Sequence, residues 1–150
     1  MPWLIWADKE ATRTAEDTFR FLDRIAKKWE TGAAFDFGIF LNGKFCGRAS
    51  VFDLSAENKS GEFGYWLAQD AARKGLASAS VRALEKECFL NRGFNRLQIK
   101  CDKRNVSSAD LARRLGYIQE AKLREERFSK IEKIFITTLV FSKLKKDFAA

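Results

Sequence analysis

Between Glu62 and Cys101 the spacing of apolar residues changes period twice, and few folds accommodate that order. Residues 62–67 set Phe63, Tyr65 and Leu67 against Glu62, Gly64 and Trp66, the two-residue period of a strand. Past Asp70, the residues Ala77, Val81, Leu84 and Cys88 fall on one helical face that runs to Asn91 or Arg92, with Gly93 as its stop. Leu97, Ile99 and Cys101 then alternate, so residues 95–101 read as a second strand. Strand, helix and strand at this spacing make a crossover unit, which is right-handed and leaves its two strands parallel. The turn at residues 73–78 is basic and built of small residues, and it lies where the first strand feeds the helix. Free N–H groups and the positive end of the helix dipole attract an anion there, so the turn is a phosphate site in outline.

The chain before this unit reads as a helix and a hairpin. Thr14 and Asp17 form a capping box, and Phe19, Leu22, Ile25, Ala26 and Trp29 recur at helical spacing over residues 15–29 until Thr31-Gly32 ends the run. Residues 34–41 and 44–54 are aromatic and β-branched, and the Asn42-Gly43 between them is the preferred dipeptide of a two-residue I′ turn. With residues 62–67 following the polar 55–60, three antiparallel strands result. The first nine residues carry Trp3, Ile5 and Trp6 and read as a lid or edge segment, because exposed Trp residues so close together would form an apolar patch.

After the unit, Ser107 and Asp110 are spaced as a second capping box, Leu111, Ala112 and Leu115 give a short apolar stripe, and Gly116 closes the helix. Residues 117–128 and 131–141 read as two long strands with a turn near Ser129-Lys130. The basic end, KLKKDFAA, reads as a solvated tail. No repeat, low-complexity tract or linker interrupts the chain, so residues 1–150 read as one domain.

Composition narrows the chemistry. Twenty-eight Lys and Arg against twenty Asp and Glu give a net charge of +8, which favours anionic partners without choosing among nucleic acid, phosphorylated cofactors and acidic peptides. The basic residues are dispersed and the aromatics alternate with apolar neighbours, which argues against a nucleic-acid surface. The chain contains no histidine, so Ser-His and Cys-His nucleophile pairs are excluded and acid–base work falls to carboxylates, Tyr, Lys, thiol or water. Cys46, Cys88 and Cys101 form no CxxC pair and read as free, buried thiols, with no metal site. No apolar run spans a bilayer and no secretory signal is legible at the N-terminus, so a cytoplasmic protein without membrane association is expected.

Four motifs resemble the acyl-CoA-dependent N-acetyltransferases of the GNAT superfamily, and within it the RimJ/RimL branch that acetylates protein N-termini. They are EFGYWLA at 62–68, ARKGLA at 72–77, NRLQIKC at 95–101 and NVSSADLARRLGY at 105–117. The resemblance implies an α+β fold: a central, mostly antiparallel sheet with one parallel strand pair and helices on both faces. It implies acetyl-CoA as cofactor, held by Arg73, Lys74, Gly75, Leu76, Ala77 and Ser78 at the pyrophosphate. Ala72 stands where relatives carry Gln or Arg. Trp66 and Leu67 would supply backbone groups to the pantetheine arm and the acetyl carbonyl. Asn105 would hold the arm by its amide, and Ser108 would lie near the sulfur. The reading of Asn105, Ser107 and Ser108 as helix caps stays open beside this.

For a general base, RimL-like relatives place a Glu where this chain in ungapped register has Arg127, with Glu126 just before it. A shift of one residue reverses the face of a strand, so Glu126 does not inherit the role by position alone. Glu62 is the other candidate, against the reading of a surface carboxylate on a half-exposed strand. Relatives begin with a further strand and helix before the stretch resembling PWLIW, so an N-terminally short domain is expected, with a homodimer through the exposed N-terminal edge. The expected function is acetyl transfer to a protein N-terminal α-amine. A small amine such as a polyamine or an amino sugar, and a catalytically impaired relative that binds coenzyme A, RNA or ribosomes, stay open as alternatives.

Overall fold

The computed structural model describes residues 14–148; Trp3, Ile5 and Trp6 lie outside them. α1 (Ala15–Glu30) starts at the capping box: Thr14 Oγ1 accepts from the Asp17 N–H at 3.1 Å, and the Asp17 carboxylate accepts from the Thr14 N–H at 3.1 Å. The Asn42-Gly43 turn joins β1 (Phe35–Leu41) to β2 (Lys44–Ser55) with Leu41 opposite Lys44. Both turn residues have positive φ, 51° and 77°, as a I′ turn requires.

β3 (Ser60–Leu67) pairs antiparallel with β2, and α2 (Leu76–Lys86) carries the chain over to β4 (Arg96–Asp102), which lies parallel to β3. α3 (Val106–Arg114), β5 (Ile118–Ser129) and β6 (Ile134–Leu144) complete a six-stranded sheet of order β1-β2-β3-β4-β6-β5, with β3–β4 its one parallel pair.

The helices and the sheet meet in one core. Val81, Leu84, Cys88 and Phe89 from α2 and its extension, and Ala109, Leu111, Ala112 and Leu115 from α3, pack on Val51, Phe63, Leu97, Ile99, Cys101 and Phe141. Phe89, Leu97 and Phe141 are fully buried, and each such side chain contributes roughly 1.5–3 kcal/mol. α1 sits at the β1 edge, its Trp29 against Phe35 and Phe37 and its Phe21 beneath the Arg48 guanidinium. Cys46, Cys88 and Cys101 are free and buried. Among the described residues no helix is long and apolar enough to cross a membrane.

Four local expectations need correction. The helix expected to run to Asn91 ends at Lys86 in regular form, and Glu87–Asn91 continues as one π turn. The cap of α3 is Asn105, whose Oδ1 accepts from the Ser108 N–H at 3.1 Å, and not a Ser107–Asp110 box. The last strand begins at Ile134 rather than 131, after a four-residue turn in which Ser129 Oγ accepts from the Glu132 N–H. The basic end is no free tail: β6 runs to Leu144, Lys143 is buried, and the Phe148 ring packs 5.3 Å from that of Phe89.

Candidate active site

The parallel ladder between β3 and β4 is short. It pairs Ser60 with Arg96 through Phe63 with Ile99, and beyond Phe63 the two strands are no longer paired. A cleft of about 420 Å³ opens there, lined by Gly64, Tyr65 and Trp66 of β3, by Lys100, Cys101 and Asp102 of β4, and by Asn105 and Ser108 at the start of α3. Glu62, Glu126 and Arg127 also line it. The structure thus brings Trp66, Asn105, Ser108, Glu62 and Glu126 to one cavity. Leu67, at the end of β3, packs against the core instead. Close approach by β2 needs Gly47 there, because a Cβ would stand 2.2 Å from the Trp66 carbonyl oxygen.

Residues 73–78 lie outside this cavity, at the N-terminus of α2. Gly75 is the N-cap with φ 76°, and no side chain caps the helix, so the first-turn N–H groups face outward. A Cβ on Gly75 would meet nothing within 4 Å, and Arg73 and Lys74 beside it are exposed. Open donors, a positive helix end and two cations fit a pyrophosphate. Arg73 itself has φ 62°, which leaves the turn strongly bent.

At the open end of the ladder, Tyr65 Oη and Ser108 Oγ are hydrogen-bonded at 2.8 Å. Burial pushes the Tyr65 phenol up to about 12, against the lowering effect of the Ser108 bond. Burial also raises the Cys101 thiol, and a hydrogen bond with Ser108 offsets part of that rise. Ser108 thus shares the cleft with a phenol and a sulfur. Asn105 uses Oδ1 for the cap, which leaves its amide N–H₂ as the polar end for a ligand.

The carboxylates differ. Glu62 is buried and occupied: Lys100 Nζ lies 2.9 Å from Oε2, and Gln98 donates to the same oxygen at 3.2 Å. That bond raises the Lys100 ammonium above its ordinary value. Glu62 is thus neither free nor the surface carboxylate of the alternative reading. Glu126 is exposed to the cleft and accepts from Thr138 Oγ1 at 2.7 Å. It reaches the cavity because β5 is bulged: Leu123 pairs with Thr138 and Arg127 with Ile136, so three β5 residues face one of β6, with Glu125 at φ 52°. The bulge cancels strict alternation, and Glu126 and Arg127 both line the cleft.

Asp102 anchors the far wall. Burial acts to raise its carboxyl, but hydrogen bonds from the Arg104 side chain and N–H outweigh it and hold the group below its ordinary value. Arg104 also grips Glu132, at 2.8 Å, which ties the β4–α3 loop to the β5–β6 turn. Sequence reasoning missed Tyr65, Lys100, Asp102 and Arg104. Tyr65 looks like any core-row aromatic until the ladder is known to stop at Phe63.

Residues 1–118 match the family described as Acetyltransferase (GNAT) domain. The chain belongs to the GNAT acetyltransferase family. Acetyl-CoA is the acyl donor of such acetyltransferases, and the open α2 N-terminus and the cleft fit its charged and thioester ends. Two curated relatives are each 29% identical. One is a putative ribosomal N-acetyltransferase, YdaF, of Bacillus subtilis (strain 168), over 127 residues, 82% of this chain and 67% of the relative. The other is a ribosomal-protein-serine acetyltransferase of Escherichia coli (strain K12), over 116 residues, 77% and 65%. The chain thus spans about two thirds of the length of these relatives. The fold is shared with a solved RimL ribosomal L7/L12 α-N-protein acetyltransferase in complex with coenzyme A, at TM-score 0.88 and 23% identity, covering 98% of this chain and 83% of that one.

Proposed function

We propose that this domain transfers the acetyl group of acetyl-CoA to a protein N-terminal α-amine by direct attack, with both substrates bound together. The observation that carries the reading is the meeting of Ser108, Asn105 and Glu126 in one cleft at the open end of the β3–β4 ladder, with uncapped amides at α2 nearby. When bound there, acetyl-CoA supplies an activated carbonyl and a thiolate leaving group. The α2 N-terminus, with Arg73, Lys74, Gly75, Leu76, Ala77 and Ser78, holds the pyrophosphate through backbone N–H groups and charge. Ala72 contributes no side-chain donor to that cradle. The backbone at Trp66 and Leu67 and the Asn105 amide align the arm.

Glu126 takes the proton that the attacking amine must lose, directly or through one water. Its Thr138 bond fixes its rotamer and leaves the other carboxylate oxygen for this task. Glu62 holds Lys100 in place and tunes the charge of the cleft. Ser108 donates to the sulfur as negative charge develops on it, which favours departure of the thiolate. The relatives that carry ribosomal-protein names support a protein acceptor over a polyamine or amino sugar. Three free, buried thiols fit a single domain working in the reducing cytoplasm.

A thiol-release assay with acetyl-CoA against N-terminal peptides and small amines tests the reading. Turnover on peptides with a free α-amine, and none on the same peptides blocked at the N-terminus, is the expected result. Saturable coenzyme A binding with no turnover on any acceptor would overturn it.

A further inference from the structure

A serine hydroxyl carries one hydrogen, and what it does for a departing thiolate depends on where that hydrogen points. The hydroxyl rotates about its C–O bond unless a neighbour fixes it. The Tyr65 phenol lies 2.8 Å from Ser108 Oγ, and Cys101 lines the same cleft. Tyr65 stands two residues beyond the last parallel pair, Phe63 with Ile99, so its ring bridges β3 to the first turn of α3 where the sheet no longer does. Ser108 Oγ is the partner of its hydroxyl among the described residues.

The polarity of this bond follows from the chemistry on either side. A phenol held at about 12 keeps its proton throughout the working range of an amine acetyltransferase, so it is always able to donate. If Tyr65 donates, Ser108 Oγ is engaged as acceptor and its own hydrogen is free for a sulfur. The cleft in which Ser108 stands already holds a sulfur, that of Cys101. Donors in series polarise one another, so the Ser108 O–H becomes a stronger donor through the Tyr65 bond.

We propose that Tyr65 is a positioning residue, which donates its O–H to Ser108 Oγ and turns the Ser108 hydrogen toward the leaving sulfur of the acyl donor. The inference rests on the acetyl-transfer reading above. As the amine nitrogen bonds to the acetyl carbon, the carbon–sulfur bond breaks and its electron pair stays on sulfur. The amine proton passes to Glu126. Ser108 donates a hydrogen bond to the sulfur and keeps its proton, as Tyr65 keeps its own.

Tyr65→Phe retains the ring and removes only the hydroxyl. In the thiol-release assay its kcat falls about five- to tenfold, the size of one lost hydrogen bond, while KM for acetyl-CoA changes less than twofold. In a Ser108→Ala background the same substitution has no further effect, because no hydroxyl remains to be aimed. A packing role for Tyr65 gives the opposite pattern: the loss is the same with or without Ser108, and that result overturns the proposal. Wild-type kcat in Tyr65→Phe overturns it equally. A wild-type protein that binds coenzyme A and releases no thiol with any amine sinks the acetyl-transfer reading first, and it is recognised before any variant is made.

Discussion

Lys143 Nζ lies 3.2 Å from Glu85 Oε1 and 2.8 Å from the Leu115 carbonyl oxygen, and water reaches neither charge appreciably: Glu85 is 0% and Lys143 7% exposed. Glu85 belongs to α2 and Leu115 ends α3, so one ammonium on β6 joins the two helices whose N-termini carry the anion turn and Ser108. The Tyr117 and Phe148 rings lie 5.7 and 5.4 Å from the same nitrogen.

Lys143→Met strands the Glu85 carboxylate in the core. Breaking a buried pair from one side costs about 3–5 kcal/mol, whereas replacing both members with apolar residues is close to neutral. Urea denaturation should therefore show a large loss for Lys143→Met and recovery of most of it in Glu85→Leu/Lys143→Met. Equal midpoints for the single and double variants would show that the charge is not what matters.

Glu126→Gln and Glu62→Gln separate the two carboxylates of the cleft. With Glu126 as base, its amide variant loses about 10²-fold or more in kcat and leaves KM for acetyl-CoA nearly unchanged. Glu62→Gln releases Lys100 and has the smaller effect on kcat. The reverse order, in steady-state thiol release with a peptide acceptor, would return the base to Glu62.

Gly75→Glu places a carboxylate at the uncapped N-terminus of α2 and a side chain on a backbone at φ 76°. A coenzyme A dissociation constant raised at least about tenfold, or 1.4 kcal/mol, is expected from titration calorimetry. Gly75→Ala carries the backbone strain without the charge, about 1–2 kcal/mol, and serves as the control. Similar affinities for the two variants would mean that phosphate is not bound at this turn.

Acid stability has an identifiable contributor at the β5 edge. The Arg96 guanidinium, at 3.0 and 2.5 Å, lowers the Glu120 carboxyl from 4.5 to about 2, with Ser142 adding to the effect. A carboxyl depressed on folding stabilises the native state above its unfolded pKa, and that contribution fades as pH falls through the folded value. The loss thus falls between pH 4.5 and about 2. Glu120→Gln should flatten the fall in Tm over this window, by a modest amount because the pair is partly exposed. An unchanged slope would remove Glu120 from the account.

Much of the fold was legible because it is local. Asn42-Gly43 dictates a I′ turn, Thr14 and Asp17 close a capping box within four residues, and the double change of period between Glu62 and Cys101 forces a parallel pair. What was not legible is set by distant partners. The Glu125 bulge depends on how β5 lies against β6, so no count along the chain shows that Glu126 and Arg127 share a cavity. Lys143 reads as a tail cation because its partner, Glu85, is 58 positions away. Of the candidate site, the anion turn and the Asn105–Ser108 pair could be read from motif and spacing. Tyr65 could not, since its part depends on where a ladder ends.

The four-pair ladder also gives β3 two kinds of backbone. Ser60, Glu62 and Phe63 are paired within the sheet on both sides, whereas Gly64, Tyr65 and Trp66 have β2 on one side and the cleft on the other. Amides of a single strand should therefore exchange with deuterium at two rates, and the fast set should be the alternate amides that face the cleft. A donor whose arm lies along that edge would slow the fast set and leave the slow set untouched. β3 would then report occupancy of the site by itself, residue by residue, without turnover and without a label.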